Sequence, residues 1–186
     1  MNYYELLDRG INFIDNVFNF AEMVRRYDTW EWKTIFKDNN SKQLNDLLRI
    51  YGRDKFIEKM VVKLNNNKYI FDENDKLVLE LEQEKINRYI EDKNTKIIPK
   101  VIKGFNIGIV FAEQYISELG NRLAELNPHL DFIAMIDMST VNYRGIKENI
   151  DLGQFAKLYG GGGHPKASGS QISDEIRNKI IDLIFN

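Results

Sequence analysis

The chain has 186 residues, of which 43% are hydrophobic and 12% aromatic, enough to bury a sizeable core in one domain with or without a helical extension. Its 26 lysines and arginines nearly balance 28 aspartates and glutamates, and the formal net charge of -2 excludes a general attraction for polyanions, so any phosphate grip must be local. The absence of cysteine excludes disulfides, thiolate nucleophiles and thiolate metal sites, and is compatible with a reducing compartment.

No apolar run approaches the about 20 residues of a membrane span, and Met1 to Asp8 has neither the basic region nor the apolar stretch of a secretory signal. The chain reads as soluble and cytoplasmic, without membrane association. Tyr3 to Arg26 places apolar residues at Leu6, Leu7, Ile11, Ile14, Val17, Phe18, Ala21 and Val24, spacings that predict one or two amphipathic helices. The aromatic stretch Tyr27-Asp28-Thr29-Trp30-Glu31-Trp32 follows, then the polar Lys37 to Asn40. Ser41 is the expected cap of a helix striped by Leu44, Leu47, Leu48 and Ile50. Asp54 to Leu64 reads as another short helix. Asn65 to Asn67 and Phe71 to Asp75 read as breaks, after which Leu77, Leu81, Ile86 and Ile90 stripe a long charged helix ending before Asn94. That helix is either a spacer between two lobes or a homodimer contact.

From Lys96 the period changes. Lys96 to Lys103 and Phe105 to Ala112 favour extended structure, the second as a buried strand. Glu113 to Leu126 fits a helix, Asp131 to Met138 a core strand, and Thr140 to Ile146 a neighbouring strand after a tight turn. Leu152 to Tyr159 is a short amphipathic helix, Gly169 to Ile172 a returning strand, and Asp174 to Phe185 a closing helix. The expected class is α/β, a mixed β-sheet flanked by helices and preceded by a mainly helical N-terminal segment and a long connecting helix. The parts are 1–70, 71–98 and 99–186.

The stretch that carries chemistry is Tyr159-Gly-Gly-Gly-Gly-His-Pro-Lys-Ala-Ser-Gly169. Consecutive glycines cost backbone entropy, so they point to a place where a ligand or another backbone approaches too closely for side chains. With Pro165 in the first turn of a helix, the amides of Gly161 to His164 would leave a helix N-terminus and suit phosphate. His164 and Lys166 would add donors, and the Ser168 hydroxyl one more. Composition alone leaves a second reading equally open, a plain glycine turn with a surface histidine.

The order of residues separates the two. Gly-Gly-Gly-His-Pro-x-Ala-Ser-Gly resembles the signature of the DHH-associated C-terminal domain, type 1, of DHH-family phosphoesterases, which include RecJ-type exonucleases, nano-RNases and cyclic-dinucleotide phosphodiesterases. The resemblance covers roughly the second half of the chain. It implies that Gly161, Gly162, Gly163, His164 and Ser168 bind substrate phosphate, with a basic residue on an upstream strand matched by Arg144 in Val141-Asn-Tyr-Arg-Gly145. A guanidinium can hold a phosphate through two parallel hydrogen bonds; the other reading of Arg144 is an ordinary solvated strand residue. Ile146 to Ile150 makes the path to the glycines longer than is usual in the family.

In the family an Asp-His-His lobe holds two manganese ions that activate water. This sequence has no Asp-His-His and only two histidines, and His129 reads as an exposed loop residue. The implied ligands are a nucleotide or short single-stranded oligonucleotide, with catalysis awaiting a DHH lobe in cis or in trans. No catalytic residue and no cofactor are assigned to the chain itself. Tyr27 to Trp32 resembles the end of such a lobe, which would make the chain a trimmed or remnant portion of a longer architecture or one piece of a split enzyme. Asp28 is then either a contributor to a metal site supplied elsewhere or, as its surroundings favour, a helix-terminal carboxylate. Tyr27, Trp30 and Trp32 are expected in a core, and Asp131 and Asp137, flanking a strand, are kept out of the site. A non-catalytic nucleotide-binding or regulatory protein is the alternative.

Overall fold

The computed structural model of the chain describes residues 15–29, 31–66 and 70–185. Two compact units are formed, Met1–Gln83 and Glu84–Asn186, with the division inside a long helix. Among the described residues no helix is long and apolar enough to cross a membrane.

The first unit contains α1 (Asp15–Asp28), α2 (Glu31–Thr34), α3 (Asn39–Tyr51), α4 (Arg53–Asn65) and the opening turns of α5 (Glu73–Asn94). The expected apolar positions Leu6, Leu7, Ile11 and Ile14, and Trp30 of the aromatic stretch, lie outside the described residues. Leu44, Leu47, Phe56, Met60, Ile70 and Phe71 form the core. Asp38, not Ser41, caps α3: its carboxylate accepts from the Asn40 amide at 2.9 Å, and Ser41 lies buried inside the first turn. The stretch read as a break at Phe71 to Asp75 starts α5 instead. Asp72 and Asp75 accept each other's backbone N–H at 3.0 and 3.1 Å, a capping box built from two aspartates.

Asp75 also belongs to a buried polar cluster that spacing alone did not reveal. Its side chain is 0% exposed and takes hydrogen bonds from the Lys63 ammonium and, at 2.8 Å, from the Tyr51 hydroxyl. Lys63 also donates to the Ile70 carbonyl at 2.9 Å and pairs with Asp72 at 2.8 Å, which holds the Asp72 carboxyl down to about 2. The carboxylate and the ammonium answer one another, so neither charge is buried alone.

The second unit is built on a six-stranded sheet of β1 (Ile98–Ile102), β2 (Phe105–Phe111), β3 (Phe132–Ile136), β4 (Thr140–Arg144), β5 (Gly162–His164) and β6 (Ala167–Gln171), in the order β1-β2-β3-β4-β6-β5. Lys103 and Gly104, at φ of 53° and 84°, make the hairpin turn between β1 and β2. α6 (Ile116–Leu126) is the crossover that makes β2 and β3 parallel; all other pairings are antiparallel. The sheet is therefore mixed and the class is α/β, preceded by a helical segment.

Alternation along the strands sorts the core into two faces. Ile133 and Met135 of β3 pack with Leu119 and Leu123 of α6 and with Ile86 and Ile90 of α5. Phe132 and Ala134 turn to the opposite face, where Tyr143, Leu152 and Phe155 join them, the last two from α7 (Leu152–Lys157). The second half of the long helix thus belongs to the core of the sheet unit. α8 (Asp174–Phe185) closes the chain.

Candidate phosphate site

The glycine run does not open a helix. Gly162 to His164 form β5, Pro165 and Lys166 the turn, and Ala167 to Gln171 β6, so the expected anion site at a helix N-terminus is replaced by a β-hairpin at the sheet edge. The small residues on both sides allow the close pairing that wins over a helical start. The four glycines do four different things. Gly160, at φ +72°, ends α7: its N–H reaches the Lys157 carbonyl at 3.2 Å and the Gly161 N–H reaches Ala156 at 2.9 Å, a Schellman closure. The Gly161 amide is spent there, and a Cβ on Gly161 would stand 2.0 Å from the Gly169 carbonyl oxygen. Gly163, at φ +140°, adopts a conformation that other residues avoid and has no room beside Ala167 and Ser168. Gly162, like Gly160, has open space where a Cβ would stand, and unlike Gly160 it needs no left-handed backbone.

The hairpin is fastened from the α7 side. The Leu152 N–H donates to the Pro165 carbonyl at 2.9 Å, and Gly153 leaves room for the Gly163 carbonyl, which a Cβ would meet at 2.6 Å. Ser168 is buried and its hydroxyl donates to the Leu152 carbonyl at 2.7 Å. That bond uses the hydroxyl proton within the protein, where the sequence reading expected it to be donated to a ligand. Lys166 likewise turns away, its ammonium on the Lys147 carbonyl and 3.6 Å from Glu148.

What remains faces the α6 side. The ladder pairs Ile133 with Arg144, Arg144 with Ala167, and Ala167 with His164. Cross-strand partners share a face, so Arg144 and His164 stand in one row with only a methyl group between them. Two strand spacings separate their backbones, about 10 Å. The neighbouring row runs Met135, Asn142, Gly169, Gly162, and its last two members have no side chain. An open glycine floor therefore adjoins the Arg144 and His164 row.

Arg144 is seated by a residue that the sequence pattern did not single out. Gly120 of α6 leaves the space for its stem, for a Cβ there would stand 2.5 Å from Arg144 Cγ. The guanidinium is half-buried and donates to the Tyr143 carbonyl at 2.9 Å and to the Ser117 hydroxyl at 3.5 Å, both neutral acceptors. Among the described residues no carboxylate pairs with it, and burial lowers its pKa by disfavouring the charged form. A helical glycine one layer above a strand arginine was the only trace of this arrangement in the sequence. His164 is exposed at the end of β5.

The residues set aside earlier have other work. Asp137 accepts from the amides and hydroxyls of Ser139 and Thr140 in the β3–β4 turn, which holds its carboxyl at about 2. Asp131, at the other end of β3, accepts from the Asn106 amide and from Lys147. His129 is exposed, and Tyr27 stacks on Trp32 at 6.2 Å between ring centres. Asp28 is exposed at the end of α1. Among the described residues no group of three or more His, Cys, Asp or Glu side chains could hold a metal ion. The described side chains therefore offer no ready site for the manganese that the sequence resemblance implies for a complete enzyme.

No family model matches the chain. Over 98% of its length it is 42% identical to oligoribonuclease NrnB of Bacillus subtilis (strain 168), across 187 residues that include the whole glycine and histidine hairpin. The chain is thus similar to a curated oligoribonuclease along nearly its whole length. The chain spans about half of that relative's length, 47%. Among solved structures it is similar to a pGpG-specific phosphodiesterase, PggH, of Vibrio cholerae, with a TM-score of 0.44, 18% identity and coverage of 71% of this chain and 50% of that one. It is also similar to an uncharacterized protein from Helicobacter pylori, with a TM-score of 0.40, 18% identity and coverage of 96% and 64%.

Proposed function

We propose that the chain holds a phosphate group of a nucleotide or short oligonucleotide at the Arg144 and His164 row, as the substrate-binding part of a DHH-type phosphoesterase. The observation that carries this reading is the half-buried Arg144 guanidinium, which among the described residues faces only neutral acceptors beside an open glycine floor. A desolvated cation without a counter-charge is costly, and a phosphate entering the row would supply that charge. Gly162 keeps the floor clear, while Gly161 and Gly163 let the hairpin close tightly enough to present His164 on the same face. In a reaction at phosphorus, Arg144 and His164 would neutralise non-bridging oxygens and orient the group. Hydrolysis would need ion-binding residues from a DHH lobe in cis or in trans. Similarity to an oligoribonuclease supports oligoribonucleotides as substrates.

Calorimetric titration of the purified chain with a 5′-phosphorylated dinucleotide, with and without manganese, tests the reading, with product followed by chromatography. Binding without turnover, weakened about tenfold or more in Arg144→Ala and in His164→Ala, is the expected result. Turnover by the chain alone would overturn the need for a second lobe. Binding that survives both substitutions would overturn the site.

A further inference from the structure

We infer that Asn142 accepts a hydrogen bond from a hydroxyl of the sugar next to the gripped phosphate, so that the site selects ribonucleotides over deoxyribonucleotides. The inference rests on the phosphate-gripping reading above and deepens it. Asn142 and Arg144 stand two residues apart on β4 and therefore on the same face. Asn142 heads the row that continues through Gly169 to Gly162, the floor without side chains.

The orientation of its amide follows from the hydrogen bonds beside it. Asp137, which accepts from Ser139 and Thr140, is an acceptor only. Thr140 Oγ1 gives its one proton to Asp137 Oδ2 at 2.9 Å, so toward Asn142 this hydroxyl can only accept. The Asn142 atom 3.0 Å from it must then be the amino nitrogen, Nδ2, and the carbonyl oxygen, Oδ1, is turned to the other side. That side is the floor: a Cβ built on Gly169 would lie 3.6 Å from Asn142 Oδ1. Among the described residues nothing donates to this oxygen. The part-buried acceptor beside a cationic row asks the ligand for a donor and disfavours a second phosphate oxygen, itself an acceptor.

Two residues along a strand span about 6.8 Å, so the donor belongs to the same nucleotide unit as the gripped phosphate or to its neighbour. Exocyclic amines of the bases change with sequence, whereas the 2′-hydroxyl is present on every ribonucleotide and absent from every deoxyribonucleotide. A floor of bare glycine backbone suits the flat approach of a sugar edge.

The test compares a 5′-phosphorylated ribodinucleotide with its deoxy counterpart by calorimetry on the full chain, in the unaltered protein, in Asn142→Ala and in Thr140→Val. The unaltered chain should bind the ribo form about three- to tenfold more tightly, the range of one neutral hydrogen bond. Asn142→Ala should bring the ribo form down to the deoxy level and leave the deoxy form unchanged. Thr140→Val, which frees the amide to flip, should do the same. A repeat with inosine in place of adenosine removes the base amine; a preference that follows the base and not the sugar overturns the inference. Equal binding of both sugars by the unaltered chain also overturns it while leaving the phosphate grip standing. No binding of either dinucleotide would overturn both readings together.

Discussion

Replacing Gly120 by alanine sets two effects of opposite sign against each other. Alanine is the better helix former by about 1 kcal/mol in a helix interior. At this position the added methyl would stand 2.5 Å from Arg144 Cγ, 2.7 Å from its Cβ and 2.6 Å from Met135 Cε, where carbon atoms prefer about 3.5–4.0 Å. Met135 is fully buried and Arg144 is held at its stem, so the strain cannot be relieved at a flexible tip alone. Overpacking of this kind costs about 1–3 kcal/mol. The net expectation is a loss of up to about 2 kcal/mol in stability, accompanied by displacement of the guanidinium. A charge-assisted hydrogen bond is worth about 1.5–3 kcal/mol, so phosphate-ligand affinity should fall about ten- to hundredfold. Thermal unfolding monitored by circular dichroism gives the first quantity and calorimetric titration with a 5′-phosphorylated dinucleotide the second. A Gly120→Ala protein that is more stable than the original and binds equally well would refute the seating of Arg144 against α6.

Within the glycine run, Gly161→Ala should destabilise the chain by about 3 kcal/mol, because its Cβ meets the Gly169 carbonyl and both groups are backbone, whereas Gly162→Ala should fold normally and weaken only ligand binding; melting temperatures of the two proteins check the contrast. Lys63→Met leaves Asp75 buried without its cation and should cost about 3–5 kcal/mol in urea unfolding. Asp137 titrates at about 2 in the folded chain. Its lowered pKa means that the unfolded chain binds the proton first as acid is added. The associated stability is present above about pH 4 and is lost as pH falls toward about 2, an effect of about 1 kcal/mol after solvent screening. Acid unfolding of Asp137→Asn should be correspondingly less steep across that window.

Much of the architecture was legible in the sequence because it depends on local periodicity. The helical stripe at Leu44 and Leu47, the apolar run of β2 and the shift from helical to strand periodicity after Lys96 each mark a face that must be buried, whatever it meets. The glycines and His164 pointed to a candidate site through their order, Gly-Gly-Gly-His-Pro-x-Ala-Ser-Gly, since composition alone left a plain glycine turn equally open. What the glycines build was decided by tertiary pairing: Gly162 to His164 join β6 at the sheet edge, since Gly169 and Ser168 let the two backbones come close, and local preference for a helix start at Pro165 gives way. The caps at Asp38 and at Asp72 with Asp75 moved two helix starts by a few residues, because capping depends on which side chain reaches a free amide. Ser168 and Arg144 show the same division most clearly. Residue type allowed each of them to meet a phosphate, but burial and register are properties of strands distant in sequence, and they turned the serine hydroxyl to Leu152 while leaving the arginine, above Ala167 and beside Gly120, without an opposing charge among the described residues.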